Sequence, residues 1–164
     1  MNTLKRIIAL FIINHFLCYT RFFSIKRKLL IWSGINIGSG TKVVGPIYFG
    51  GVIDISIGKE CWIGKNFNLD GNGYVTIGDY IDIAPHVVIT TGGHLIGDEI
   101  RRAGKGIVNS ISIGNGCWIG TNTTIVNNTT IGNGCVVAAG SVVINDSEPN
   151  KLLAGVPAIP KKDL

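Results

Sequence analysis

Three histidines, four cysteines and one dense cluster of charge are the residues of this 164-residue chain that could do acid–base or nucleophilic chemistry. His94 follows the run Thr90-Thr91-Gly92-Gly93 and stands at the edge of the cluster Asp98, Glu99, Arg101, Arg102 and Lys105. An imidazole titrates near neutrality, and one at a strand end beside an irregular segment has the access that a general base needs. His86 lies in Ala84-Pro85-His86-Val87, and His15 in an apolar stretch near the start. The cysteines offer less. Cys61, Cys117 and Cys135 fall at equivalent places of a repeat, and Cys18 is in the same apolar stretch as His15. Buried free cysteine behaves as a small hydrophobe. Without a CxxC pair or a Cys/His cluster there is no zinc signature, so no metal is expected. Four inert thiols suit a reducing, cytoplasmic compartment.

The elements that must position His94 are written in a six-residue rhythm. A branched apolar residue leads each unit at Ile113, Ile119, Ile125, Ile131 and Val137, most often followed by glycine. That period matches neither the 3.6 of an α-helix nor the 2 of an alternating strand, and is the signature of a parallel β-helix. Three units make one turn, so Ile113 should stack on Ile131, about 4.8 Å away. Earlier units start at Ile37, Ile57, Ile63, Ile77, Ile83 and Ile89. Ile57 to Ile77 is two residues longer than a regular turn, which predicts a bulge near Gly71–Gly73. The small residues Cys61, Cys117, Cys135, Thr123 and Ser141 should point inward. The corners take Gly, Asn and Asp, whose tolerance of positive φ accounts for the 23 glycines. Leu95 to Ser110 breaks the rhythm and reads as a loop thrown out from the coil, about 95–110. The expected organisation is an N-terminal helical arm over 1–33, a β-helix over 34–150 and a tail over 151–164.

The net charge of +5 belongs to the arm. Residues 1–42 carry seven Lys or Arg and no acid, while the remainder is slightly acidic. The coil therefore lacks the basic stripe of a nucleic-acid binder, and no nucleic acid is expected as a partner. The arm itself is apolar from Ile7 to Tyr19 between basic flanks, too short for a membrane span of about 20 residues. Two readings stay open: a helix packed on the coil's end or on an oligomer neighbour, and a helix lying on an anionic membrane surface through residues 1–30.

Four stretches carry a family resemblance: Asn66-Phe67-Asn68-Leu69; Ile83-Ala84-Pro85 with His94 after its Thr/Gly run; Ile113-Gly114-Asn115-Gly116-Cys117-Trp118-Ile119-Gly120; and Ala154-Gly155-Val156-Pro157-Ala158. Together they resemble the left-handed β-helix hexapeptide acyltransferases, in particular the galactoside, maltose and polysaccharide O-acetyltransferases. The resemblance implies an all-β left-handed parallel β-helix, a homotrimer and acetyl-CoA as co-substrate. It implies His94 as catalytic base, Asn66 and Trp118 as acceptor-side residues, and Thr121, Ala139 and Lys162 along the acetyl-CoA groove. Where the family often has Thr-Lys, this chain has Ile144-Asn145, and Lys161 with Lys162 stand in as the basic end. His86 sits where relatives carry Gly or Asn. The basic-apolar arm resembles relatives that modify capsule or lipopolysaccharide sugars, which implies a surface-polysaccharide acceptor. The rival readings are amino-sugar N-acetyltransfer on a nucleotide sugar, a carbonic anhydrase of the same coil, which needs a third coil histidine, and a non-catalytic assembly protein.

Overall fold

The computed structural model describes residues 3–50 and 52–164. Three parallel sheets form the walls of a β-helix. The first holds Asn36–Ile37, Asp54–Ile57, Tyr74–Ile77, Ser110–Ile113 and Thr130–Ile131. The second runs from Lys42–Val43 through Trp62–Ile63, Asp82–Ile83 and Trp118–Ile119 to Val136–Val137 and Lys151–Gly155. The third holds Ile47–Phe49, Phe67–Asp70, Val88–Thr90, Thr124–Ile125 and Val142–Val143. Ile37, Ile57, Ile77, Ile113 and Ile131 pair in one ladder, as the rhythm predicts, and all are buried. The bulge at Gly71–Gly73 is present, as a turn between two strands of four residues.

Stacking at sheet spacing leaves the corners no freedom. A Cβ on Gly120 would run into the backbone of Ala138 and Ala139 one turn on. The residue two places after each corner glycine turns left-handed: Glu60 (φ 53°), Gly116 (φ 69°) and Gly134 (φ 67°), with Tyr80 (φ 56°) in the same column. Glu and Tyr were not expected there. Each is held by donating its N–H to the preceding turn, Glu60 to Ser39 and Tyr80 to Lys59.

Two segments are more ordered than the sequence suggests. Residues 95–110 are not an irregular loop. Gly92–Ile96 and Ala103–Val108 form an antiparallel hairpin that begins before Leu95 and takes His94 with it. Its strand signal is hidden because both faces meet solvent and glycines occupy Gly92, Gly93, Gly104 and Gly106. Residues 151–164 are not a loose tail either. Lys151–Gly155 extends the second sheet, and Ala158–Asp163 folds back antiparallel on it.

The arm folds as two helices, α1 (Thr3–His15) and α2 (Phe23–Trp32), with Met1 and Asn2 outside the described residues. Gly34 (φ 89°) ends α2 by donating its N–H to Ile31 while Ile35 donates to Leu30. Ile13 and Leu30 enter the same core as the coil. Polar side chains of the helices reach the first turn's peptide groups, which have no preceding turn to pair with. Asn14 both donates to the Ile47 carbonyl (2.7 Å) and accepts from its N–H (2.9 Å). Arg6 donates to the Ile53 carbonyl at 2.6 Å, and Arg27 to Gly38 at 2.7 Å. Burial pushes the Arg6 guanidinium below its usual pKa, partly offset by Asp54. The packed-helix reading therefore holds, and the arm caps an otherwise open β-edge.

This makes the arm part of the fold. Asn14→Leu leaves the Ile47 N–H and carbonyl without partners, which should cost about 2 kcal/mol or more and lower Tm by roughly 4–8 °C. Thermal unfolding by circular dichroism measures it; a Tm within a degree of wild type would show that the cap is ornamental.

Candidate active site

The coil presents two places with chemical potential, at different corners. The hairpin leaves the corner between the third and first sheets. Thr91, fully buried, fixes its base. The Thr91 N–H donates to the Asp70 carbonyl (2.9 Å), its hydroxyl accepts from the Gly73 N–H (3.0 Å), and its carbonyl accepts from the Asn109 N–H (2.8 Å). One residue thus ties the outgoing strand, the returning strand and the turn below. His94 lies three residues out, opposite Gly106. Its Nδ1 is 2.9 Å from the Gly104 carbonyl. A carbonyl only accepts, so Nδ1 carries the proton and Nε2 keeps its lone pair. The ring is exposed and borders an open cavity of about 500 Å³ lined by Asn72, Gly92, Gly93, Gly106, Ile107 and Val108. His94 also borders a second hollow, lined by Asp98, Arg101 and Lys105.

The second place is a groove of about 410 Å³ at the corner between the second and third sheets. Ala84, Gly120, Ala138 and Ala139 make its floor narrow and smooth, and Trp118, Val136 and Leu152 form its apolar wall. Trp118 stays 58% exposed. Trp62, its equivalent two turns away with Asp82 between them, is instead covered by Phe23 of α2, with ring centroids 5.7 Å apart. The two tryptophans share a register position and have different jobs. The Thr121 hydroxyl donates to the Pro85 carbonyl (2.7 Å), so only its lone pairs face a ligand. Lys162 pairs with Leu152 on the C-terminal hairpin, one strand beyond the groove. The lining fits an extended, largely uncharged chain.

Asn66 and His86 occupy this same corner one turn apart, both left-handed, at φ 58° and 63°. The Asn66 amide nitrogen is 3.5 Å from His86 Nδ1 and 3.4 Å from Nε2, near-equal distances that place the amide against the ring rather than along a lone pair. The structure thus groups Asn66, Trp118, Thr121 and Ala139 along one corner and sets His94 apart at the next, with the third sheet between them. Two features escaped sequence reasoning. Gly104 acts through a backbone carbonyl that only strand pairing delivers. Ala84 and Ala138 act by being small, which the inward-facing repeat pattern does not report.

The family model for the bacterial transferase hexapeptide (six repeats) matches residues 110–145. The chain is 38% identical over 133 residues to the galactoside O-acetyltransferase of Escherichia coli (strain K12), a match that covers 80% of this chain and 66% of that protein, just under two thirds of its length. It is also similar to the crystal structure of a galactoside acetyltransferase in complex with coenzyme A, with 32% identity and a TM-score of 0.75 over 98% of this chain and 80% of that one. The chain belongs to the hexapeptide-repeat acetyltransferase family. A hexapeptide-repeat acetyltransferase from Vibrio cholerae O1 biovar eltor, solved with acetyl-CoA, is similar over 99% of this chain and 86% of its own, with a TM-score of 0.83 and 29% identity.

Within this coil the thiols are structural. Cys61 donates to the Gly78 carbonyl, Cys117 to Gly132 and Cys135 to Glu148, each at 3.1 Å. Burial pushes the Cys61 thiol up and the Cys117 thiol up to about 11. Among the described residues no group of His, Cys, Asp or Glu is placed to hold a metal ion. A thiol pKa raised on folding stabilises fully below its unfolded value, and that stability is lost as pH rises towards the folded one. Tm should therefore fall between pH 9 and 11 from this source, and Cys117→Ser, which keeps a donor to Gly132, should flatten part of the fall. Identical Tm profiles for the two proteins over that range would refute the assignment.

Proposed function

We propose that this chain transfers the acetyl group of acetyl-CoA to a sugar hydroxyl in the synthesis of a surface polysaccharide such as capsule or O-antigen, with His94 as general base. The observation that carries the reading is the His94 Nδ1–Gly104 contact of 2.9 Å, which leaves Nε2 with its lone pair on an exposed ring that borders an open cavity. Nε2 takes the proton of the acceptor hydroxyl as its oxygen forms a bond to the thioester carbonyl carbon. The tetrahedral adduct collapses, the carbon–sulfur bond breaks, and the thiolate leaves with the proton that His94 holds. Corner N–H groups are suited to stabilise the oxyanion. The apolar groove of Trp118, Thr121 and Ala139 suits the donor's pantetheine arm, with Lys162 and Lys161 at its phosphate end. Asn66, at the same corner, is assigned to the acceptor.

Because His94 and this groove stand at different corners of one chain, the reading includes a homotrimer. A threefold axis parallel to the coil sets one subunit's hairpin against the next subunit's groove. The acceptor is tested by screening acetyl-CoA with capsule fragments, lipid-linked oligosaccharides and nucleotide amino sugars; transfer to an amine alone would favour N-acetylation.

His94→Ala should lower kcat by about 10²–10⁴ with acetyl-CoA affinity nearly unchanged, while His86→Ala keeps most activity. Steady-state kinetics on the confirmed acceptor checks both, and an active His94→Ala enzyme beside an inactive His86→Ala enzyme would reverse the roles.

Shared sites also predict complementation. Ala139→Trp blocks the groove without touching the core, since Ala139 is exposed. Mixing refolded His94→Ala and Ala139→Trp subunits should restore about a quarter of wild-type activity, because each mixed trimer has one site built from two intact halves. No recovery on mixing would place the whole site in one chain.

A further inference from the structure

α1 is inside out. A helix on a core normally turns its apolar stripe inward and its charge outward. Here Arg6, Ala9 and Ile13 face in at helical spacing, while Leu4, Ile7 and Phe11 stand out, 65%, 60% and 54% exposed. α2 likewise buries a charge beside its inward Leu30 and leaves apolar residues out: Lys26 is fully buried, its Nζ donating to the Tyr19 carbonyl at 2.8 Å, while Ile25 and Trp32 are exposed. Lys5 lies over the Trp32 ring, 5.4 Å from its centroid, and joins the two outer faces. Capping the coil explains why Arg6 and Asn14 point inward. It does not explain why the opposite face is apolar, since any polar residue would serve there.

We propose that this outer face of α1, with Trp32, docks on an anionic phospholipid surface. Charge selects that occupant. Residues 1–53 contain no acidic side chain, and Arg21 and Lys28 of the arm are exposed. A second copy bringing the same face would set cation against cation. Geometry agrees: α1 has 13 residues, about 20 Å of helix, too short to cross a hydrocarbon layer of about 30 Å and long enough to lie in its interface. Among the described residues no helix is long and apolar enough to cross. The arms cap the first turn of the coil, so in the trimer proposed above, on which this point alone rests, three such faces lie at one end and bind together. The partner is then a plane, and the acceptor it delivers is one held at that plane, such as a lipid-linked sugar.

The test is co-sedimentation of the full chain with vesicles of phosphatidylcholine and phosphatidylglycerol at about 7:3, against phosphatidylcholine alone, in low salt and in about 0.5 M salt. The comparison variant is Ile7→Asp with Phe11→Asp, both exposed and outside the site, with coenzyme A binding by calorimetry to confirm that the fold and donor groove are intact. Binding to the anionic vesicles that weakens about ten-fold or more on neutral ones, in high salt and in the variant supports the proposal. Wild-type protein left in the supernatant overturns it, whether or not light scattering then shows end-to-end pairing. Equal binding of the variant, or equal binding to neutral vesicles, overturns it as well. Because coenzyme A binding is read separately, none of these failures touches the acetyltransferase reading.

Discussion

A parallel β-helix satisfies its peptide groups only with another turn of itself. The Lys42 N–H donates to Cys61, Trp62 to Ile81, Asp82 to Cys117 and Trp118 to Cys135, each across one turn. Everything else in this chain follows from that dependence. Because turns sit at sheet spacing, corner positions such as Gly120 admit no side chain. Because inward space is a narrow prism, its second position takes Thr41, Cys61, Cys117 or Thr123, each small and each spending its hydrogen on a nearby carbonyl. And because the ladder has two ends, each must be closed by something that is not a turn.

The ends are closed in different ways. At the start, side chains of two helices imitate the missing strand, with Asn14 offering Ile47 both halves of a peptide pair. At the finish, Ala158–Asp163 reverses direction and turns the second sheet's edge antiparallel, with Lys151 paired to Asp163. The His94 corner and the Trp118 groove lie between these closures, on turns held from both sides. The His94 hairpin and the Trp118 groove are thereby each anchored to turns paired on both sides.

The coil was legible because its rule is local and repeats. Ile113 on Ile131 and the inward Cys61, Cys117 and Cys135 follow from counting by six. What was not legible depends on partners remote in sequence. The hairpin carrying His94 has no buried face, so no periodicity marks its strands. The C-terminal strand alternates poorly because Ala158–Asp163 is exposed beyond its first residue. The arm's composition showed that it was apolar and basic, but not that its arginine would face the core and its leucine the solvent. The candidate residues were read from motifs rather than geometry, and motifs are silent on distance. They named His94 and Trp118 together, although the fold separates them by a whole sheet.

The corner between the third and first sheets behaves like an expansion joint. Successive ladder partners on the first sheet are Ile37, Ile57, Ile77, Ile113 and Ile131, so the same wall is rebuilt after 20, 20, 36 and 18 residues. All of the slack is taken up at that one corner, from a short turn at Gly71–Gly73 to the whole His94 hairpin. Length gained there is invisible to the core, because Ile77 and Ile113 meet as closely as Ile113 and Ile131. Natural variation can therefore rewrite the segment around His94 while leaving the folding problem untouched, so whatever that hairpin does and the integrity of the coil are inherited separately.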